Sequence, residues 1–212
     1  HENEIAQAKC ATDKKFASLW MHTGPLRIED KKMSKSLKNF ITVKDILKDF
    51  HPEVLRLFFL LTHYRSPIAY SKEGLENAKR VLDKFYTLFS NIKIPSKFNE
   101  DKSFREEFIS VFQDDFNSPK AISLLQAYAG KAESGRDVST DRLCTLKVLL
   151  NSLGLLLDET ENYFKYGEFD LSIEEIEKLI SDRNDARENK KFDLADKIRN
   201  QLANKGIVLE DL

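Results

Sequence analysis

A short run of lysine and serine side chains is the part of this sequence best suited to chemistry: Lys32-Met33-Ser34-Lys35-Ser36. Its two ammonium groups and two hydroxyl groups can together face an anion that carries several oxygens. When ATP is cleaved at its α-phosphate, negative charge develops on the phosphorus oxygens and on the departing pyrophosphate, and Lys35 would meet that charge. We therefore interpret these five residues as an ATP-binding and catalytic loop. The alternative is an ordinary polar loop whose lysines and serines face water.

The segments on either side of this run predict a strand before it and two helices after it. Leu26-Arg27-Ile28 alternates in the manner of a short strand. Thr42 and Asp45 have the spacing of a capping box at the start of a short amphipathic helix. Pro52 suits the first turn of a second helix. Residues 53–63 are apolar on nearly every side, so we expect this second helix to be buried.

Composition predicts a globular, mainly α protein. The chain has 212 residues, 41% of them hydrophobic, which is enough for a sizeable core, and only 7 Gly and 5 Pro interrupt its helices. The formal net charge is −1, so any contact with nucleic acid must be local rather than the result of a global basic field. The longest apolar stretch is too short to span a bilayer. We therefore expect a cytoplasmic protein that does not bind a membrane.

The two cysteines are far apart and have no C-x-x-C spacing. Cys10 and Cys144 therefore form neither a disulfide framework nor a zinc site by themselves. We expect both to be buried or half-buried small apolar residues.

Amphipathic stripes indicate a bundle of helices from residue 71 onward. The four stripes run over residues 75–92, 104–112, 121–128 and 143–157. Their aromatic residues are expected to form the core: Phe85, Phe89, Phe104, Phe108 and Phe112.

A small helical hairpin is predicted at the end of the chain. Residues 163–171 have the character of a linker, and Ser172 with Glu175 forms a capping box. A last helix with an apolar face over residues 194–202 stops before Gly206, a typical C-terminal capping residue.

The first residues have the pattern of a helix interior that continues from Ile5 to Trp20. Because the chain also begins without Met, we expect it to be part of a longer protein.

The K-M-S-K-S run and its surroundings resemble the cysteinyl-tRNA synthetases, a family of class I aminoacyl-tRNA synthetases. The segments that carry this resemblance are residues 1–7, 32–45, 52–56, 63–67, 114–121 and 186–211. It spans essentially the whole chain. One departure is Lys38, where the family usually has Gly, and this change alters the backbone freedom of the loop.

The resemblance implies a domain order. Residues 1–24 would be the end of a class I Rossmann catalytic domain, and residues 25–70 the stem-contact region with the K-M-S-K-S loop. Residues 71–165 would be a helical bundle that binds tRNA, and residues 172–212 a small anticodon-binding hairpin.

The resemblance also implies an activity: ATP-dependent ligation of L-cysteine to its cognate tRNA through cysteinyl-adenylate. The expected cofactors are ATP with Mg²⁺ and one Zn²⁺ ion, and the expected oligomeric state is a monomer. In this family Zn²⁺ binds the substrate thiolate, and the zinc motif is H-H-E-N-E, with its first His and last Glu as ligands. This chain begins at the second His, so only Glu4 carries over as a metal ligand. The class I H-I-G-H element is not among these residues, so we expect the chain alone to be inactive.

Basic residues at two places are the candidate tRNA contacts. Arg56, His63 and Arg65 follow the K-M-S-K-S loop, and structural ion pairing is the alternative role for them. The tail carries Arg183, Arg187, Lys190, Lys191, Lys197 and Arg199. Because acidic residues are interleaved with them, a solvated helix pair is the alternative interpretation of the tail.

Two other functions remain open at this point. One is an ATP-dependent cysteine ligase that acts on an amino sugar, which would not need an anticodon-binding tail. The other is a tRNA-binding module without catalysis, which would not need the K-M-S-K-S loop.

Overall fold

The computed structural model describes residues 1–28, 31–32, 41–90, 92–133, 139–167, 171, 173–203 and 207, with the backbone alone at 31, 32, 133 and 173. Within these residues there are ten helices and three short strands, so the predicted mainly α fold is confirmed. The strands are β1 (Leu26–Ile28), β2 (Lys31–Lys32) and β3 (Ile68–Tyr70). The helices are α1 (Glu2–Thr12), α2 (Val43–Asp49), α3 (Pro52–Leu60), α4 (Lys72–Ser90), α5 (Lys102–Gln113), α6 (Ser118–Glu133), α7 (Thr140–Ser152), α8 (Thr160–Phe164), α9 (Ile173–Glu188) and α10 (Phe192–Ala203).

The chain divides into two compact units, His1–Lys165 and Tyr166–Leu212. The first unit holds α1 to α8 and the three strands, and the second holds the α9–α10 pair. The finer domain boundaries given above stay a prediction.

A small sheet of three strands adjoins the start of the K-M-S-K-S run, with strand order β2-β1-β3. β1 pairs antiparallel with β2, where Arg27 lies opposite Lys32, and parallel with β3, where Leu26 lies opposite Ile68. The strand predicted at Leu26–Ile28 is therefore present. β3 was not predicted, because three residues after a proline give no alternating pattern and the partner strand is distant in sequence.

Helices α2 and α3 begin as their sequences predict. The Thr42 hydroxyl accepts a hydrogen bond from the N–H of Asp45 at 3.1 Å, and the Asp45 carboxylate accepts one from the N–H of Thr42 at 3.3 Å. The Thr42 hydroxyl also donates to the Asp45 carboxylate, and this bond, followed by the one from the Thr42 N–H, lowers the pKa of Asp45. At α3, His51 is the N-cap and Pro52 occupies the first turn. Most apolar residues of α3 are buried, but Phe59 is exposed.

Helices α3 to α7 enclose one hydrophobic core. The large side chains fully buried in it are Leu57, Leu75, Leu82, Phe85, Tyr86, Phe104, Ile122, Leu125, Leu146, Leu150 and Leu155. Of the predicted aromatic core, Phe85, Phe89, Phe104 and Phe108 are buried, and Phe112 packs against the core while partly exposed. The rings of Tyr86 and Tyr163 stack with their centroids 3.8 Å apart, which attaches α8 to α4.

The predicted opening helix is too long. α1 ends at Thr12 because Asp13 adopts a left-handed conformation with φ 52°, and its N–H bonds the carbonyl of Lys9. Leu19 and Trp20, assigned to that helix from their spacing, follow it and are exposed. Cys10 is also exposed, so its predicted burial is wrong, whereas Cys144 is buried as predicted. No residue of α1 is buried.

Two predictions near the end of the bundle also need correction. α7 ends at Ser152, before Leu153 and Leu157, and Gly154 follows with φ 74°. The predicted linker at 163–171 begins inside α8, where Tyr163 is buried. The sequence missed this helix because it has only five residues, too few to show a stripe.

The second unit is an α9–α10 helix pair. Ala186, Ala195, Ile198 and Leu202 are buried in it. At the turn, Lys190 has φ 56°, and the N–H of Lys191 bonds the carbonyl of Ala186 at 2.8 Å. The predicted cap at Ser172 and the predicted stop at Gly206 lie outside the described residues.

Candidate nucleotide and RNA-binding sites

The predicted ATP-binding loop continues directly from strand β2. Lys32 is the last residue of β2, and the structure describes its backbone only. Met33, Ser34, Lys35 and Ser36, like Lys38, lie outside the described residues. Their assigned roles therefore stay predictions.

Glu4, the predicted zinc ligand, lies on the exposed helix α1. Its side chain is largely exposed. Among the described residues, no group of three or more His, Cys, Asp or Glu side chains is arranged to hold a metal ion. These residues therefore do not form a zinc site by themselves, and the chemistry of Glu4 allows it to supply one ligand at most.

Arg56, a candidate tRNA contact, lies on the exposed face of α3 next to the turn after α7. Its guanidinium approaches Gly154 so closely that a Cβ built at Gly154 would be 2.8 Å from Nε of Arg56. The φ of 74° favours a glycine at this position, whereas the guanidinium is the end of a flexible side chain and could move away from a Cβ. Arg56 therefore lies against this turn with its side chain exposed, and its contact with tRNA stays a prediction.

Arg65, the second candidate of this region, is held by a cluster of polar and aromatic side chains. Its Nε is 2.9 Å from Oδ2 of Asp115 and donates to the Tyr64 hydroxyl at 2.8 Å. The Tyr64 hydroxyl donates to Oδ1 of Asp115 at 2.7 Å. His63 stacks on Tyr64 and its Nε2 lies 3.0 Å from the carbonyl oxygen of Asp115.

The positive charge of Arg65 and the negative charge of Asp115 stabilise each other. The bond from Tyr64, with the positive charge of Arg65, lowers the pKa of Asp115, so its carboxylate is ionised at neutral pH. The sequence left tRNA contact and structural ion pairing as alternatives for Arg65 and His63, but it did not indicate Asp115 as their partner. The D-D-F-N segment 114–117 was visible in the sequence, but no local pattern connects it with residues about fifty positions earlier.

The turn between α9 and α10 forms an open pocket of about 390 Å³. Its lining residues are Lys190, Lys191, Phe192, Asp193, Leu194 and Lys197. The structure therefore brings three of the predicted basic residues together. Phe192 is 61% exposed and lies among them. An exposed aromatic ring beside ammonium groups is typical of surfaces that stack an unpaired base and neutralise its phosphate.

The other basic residues of the tail lie in different surroundings. Arg183 is buried at 7% exposure, which suits packing within the helix pair better than contact with RNA. Arg187 is exposed on α9. Arg199 lies 3.4 Å from Asp196 in an exposed ion pair. Phe192 is the residue that the sequence analysis missed; an aromatic residue directly after two lysines was the signal for it.

Three family models match successive parts of the chain. Residues 1–80 match the class I (C) tRNA synthetase catalytic domain, residues 107–158 the DALR domain, and residues 172–211 the anticodon-binding domain of cysteinyl-tRNA ligase. A cysteine–tRNA ligase of Hydrogenovibrio crunogenus is 42% identical over 213 aligned positions, which include the whole chain. The chain belongs to the cysteinyl-tRNA ligase family.

Other members of the family show the same relation. A cysteine–tRNA ligase of Francisella philomiragia is 39% identical and one of Francisella tularensis subsp. novicida 40% identical, both over the whole chain. The chain spans about half the length of these relatives, 46% to 47%, and corresponds to their C-terminal portion. No helix among the described residues combines the length and apolar character needed to cross a bilayer.

Proposed function

We propose that this chain is the C-terminal portion of an enzyme that ligates L-cysteine to its cognate tRNA, with ATP and through cysteinyl-adenylate. The observation that carries this proposal is the order of the matches: a class I catalytic-domain segment at 1–80 and a cysteinyl anticodon-binding segment at 172–211 lie in one chain. The K-M-S-K-S run at 32–36 lies within the first of these segments.

We assign to Lys35 the stabilisation of the negative charge that develops when the cysteine carboxylate attacks the α-phosphate of ATP. Negative charge then grows on the phosphoryl oxygens and on the departing pyrophosphate, which Mg²⁺ also helps to neutralise. Lys32, Met33, Ser34 and Ser36 are assigned to binding the nucleotide beside it. Family membership supports the use of ATP and Mg²⁺.

Zinc has no complete site among the described residues, so no step is assigned to it. In the proposal Glu4 supplies one ligand, and the remaining ligands belong to the part of the enzyme outside this chain. A monomeric, cytoplasmic enzyme is part of the same proposal.

We assign the α9–α10 pair, the tail of the chain, to binding of the tRNA anticodon. Lys190, Lys191 and Lys197 would contact phosphates, and Phe192 would stack on an unpaired base. The exposed positions of Arg187 and Arg199 allow further contacts. Arg183 is assigned to packing, which revises the sequence-based expectation.

The two alternative functions are less well supported. A cysteine ligase acting on an amino sugar has no use for an anticodon-binding tail, whereas residues 172–211 match such a domain. A tRNA-binding module without catalysis has no use for the K-M-S-K-S run or for a match to a catalytic domain over 1–80.

The full-length protein tests the proposal through cysteine-dependent exchange of pyrophosphate into ATP. Exchange that requires cysteine, and is absent with serine, is the expected result. Transfer of cysteine to an amino sugar, with no cysteinylation of tRNA, would establish the first alternative instead.

A further inference from the structure

The Asp115 cluster connects two parts of the first unit that are far apart in sequence. Asp115 lies in the turn between α5 and α6, and it contacts His63, Tyr64 and Arg65 in the segment between α3 and β3. Its two carboxylate oxygens and its backbone carbonyl oxygen all take part. The turn of the bundle therefore holds this segment at three points.

The backbone at this turn adopts an uncommon conformation. Asp115 and Phe116 are consecutive non-glycine residues with φ of 53° each. This left-handed region is unfavourable for a bulky residue such as Phe, although Asp tolerates it better than most. Such conformations persist where surrounding contacts hold them and often mark functional positions. Here the conformation places the Asp115 carboxylate on Tyr64 and Arg65.

The segment held by Asp115 is in turn bonded to the strands that precede the K-M-S-K-S run. The carbonyl of Tyr64 accepts a hydrogen bond from the N–H of Gly24 at 2.8 Å, and the N–H of Ile68 donates to the carbonyl of Pro25 at 3.0 Å. β1 follows directly and pairs with both β3 and β2. β2 ends at Lys32, the first residue of the run.

Gly24 allows a close approach between the two backbone segments. A Cβ built at Gly24 would lie 2.1 Å from the carbonyl oxygen of Ser66, so the two backbones are in direct contact. A movement of residues 63–66 would therefore either push against Gly24 or break its hydrogen bond to Tyr64.

We infer that Asp115 is a positioning residue, which holds residues 63–66 and, through Gly24, the strands that lead to Lys32. Asp115 itself touches no substrate in this account. Its effect on adenylate formation rests on the proposed function, whereas its effect on the strands does not.

The first test is amide hydrogen exchange by NMR in the 212-residue chain. Asp115→Asn keeps a side chain that tolerates positive φ, but its amide has a single acceptor oxygen and cannot replace the carboxylate on both the Tyr64 hydroxyl and Arg65. We expect exchange at the N–H of Gly24 to become about tenfold faster. The matched control is Asp114→Asn, which removes the same charge from the neighbouring exposed position and should leave Gly24 unchanged.

Thermal unfolding of the same variants distinguishes a local effect on the strands from a general loss of stability. Because the Arg65–Asp115 pair is exposed, its loss should change the unfolding midpoint by no more than about 2 °C. Unchanged exchange at Gly24 in Asp115→Asn would overturn the inference. So would a loss of protection spread evenly over the bundle, since that would indicate general destabilisation.

The second test measures cysteine-dependent ATP–pyrophosphate exchange in the full-length protein. Asp115→Asn should lower kcat about tenfold with little change in KM for cysteine, since a misplaced group costs rate more than binding. Asp114→Asn should match the wild type. Wild-type kcat in Asp115→Asn would overturn the positioning role while leaving the proposed function intact. If the wild-type protein shows no ATP–pyrophosphate exchange, the proposed function fails. The rate of hydrogen exchange at the Gly24 N–H then decides whether Asp115 holds the strands.

Discussion

The buried carboxylate of Glu53 accepts a hydrogen bond from the backbone N–H of Leu156 at 2.7 Å. It also accepts one from the N–H of Leu157 at 2.9 Å and one from the Tyr86 hydroxyl at 3.0 Å. Leu156 has φ 57°, a sparsely populated conformation for a leucine. The first turn of α3 therefore stabilises a strained turn after α7, which joins the helices following the K-M-S-K-S run to the bundle.

Replacing Glu53 should destabilise the protein strongly. Glu53→Gln preserves the size of the side chain but places an NH₂ donor where at least one N–H or O–H donor needs an acceptor. We expect the free energy of unfolding to fall by about 2–3 kcal/mol. Urea denaturation of the chain measures it. Glu76→Gln, on the exposed face of α4, is the control and should change stability by less than about 0.5 kcal/mol. A Glu53 variant as stable as this control would contradict the role assigned to the carboxylate.

Gly24 should tolerate no side chain. Gly24→Ala puts a methyl group against the backbone of Ser66 and Pro67, so the first strands must move away from β3. We expect the amide of Ile68, which bonds Pro25, to exchange at least about tenfold faster. Gly130→Ala is the matched control, because a Cβ there meets nothing within 4 Å. Since alanine favours helices, that control should raise stability by about 0.5–1 kcal/mol. Equal protection of Ile68 in both variants would disprove the close contact.

The two cysteines should differ sharply in reactivity. Cys10 is exposed, whereas Cys144 is buried, and burial raises the pKa of its thiol. A raised pKa leaves less thiolate at any given pH, which slows the reaction further. A thiol reagent at neutral pH should therefore modify one cysteine rapidly and the second only after unfolding. Peptide mapping should identify the first as Cys10; rapid modification of Cys144 would contradict the packing of α7.

Local patterns predicted the amphipathic helices well, because a stripe such as Leu75, Leu82 and Phe85 depends only on spacing within one helix. The capping box of Thr42 and Asp45 is equally local. The early end of α1 was not predictable in the same way, since Phe16 and Leu19 continue the apolar spacing after Asp13 has already turned the backbone.

The parts of the site that the sequence did not predict depend on distant partners. Asp115 meets Tyr64 and Arg65, and Glu53 meets Leu156, across intervals far longer than any helical or strand period. Phe192 was missed for another reason: it lies two residues before Leu194, off the apolar stripe that helical spacing defines, and its exposure is visible only in the structure.

Lys35 should act on adenylate formation and not on RNA. Lys35→Ala in the full-length protein should lower the rate of cysteine-dependent ATP–pyrophosphate exchange by roughly 10² or more. Affinity for tRNA should remain nearly unchanged, since Lys35 stabilises charge on the phosphates of ATP and not on the tRNA. An exchange rate equal to that of the wild type would remove Lys35 from this role.

The most direct test of the account is binding of the chain, at fixed moderate salt, to cysteine tRNA and to the same tRNA with a changed anticodon. We predict at least about tenfold tighter binding to the unchanged tRNA. Each mismatched base in a recognition site lowers the binding free energy by about 1–3 kcal/mol. Phe192→Ala should weaken that binding about tenfold, whereas Phe16→Ala, a similarly exposed phenylalanine on the other unit, should not. Equal affinity for the two tRNAs would contradict the assignment of the α9–α10 pair to the anticodon.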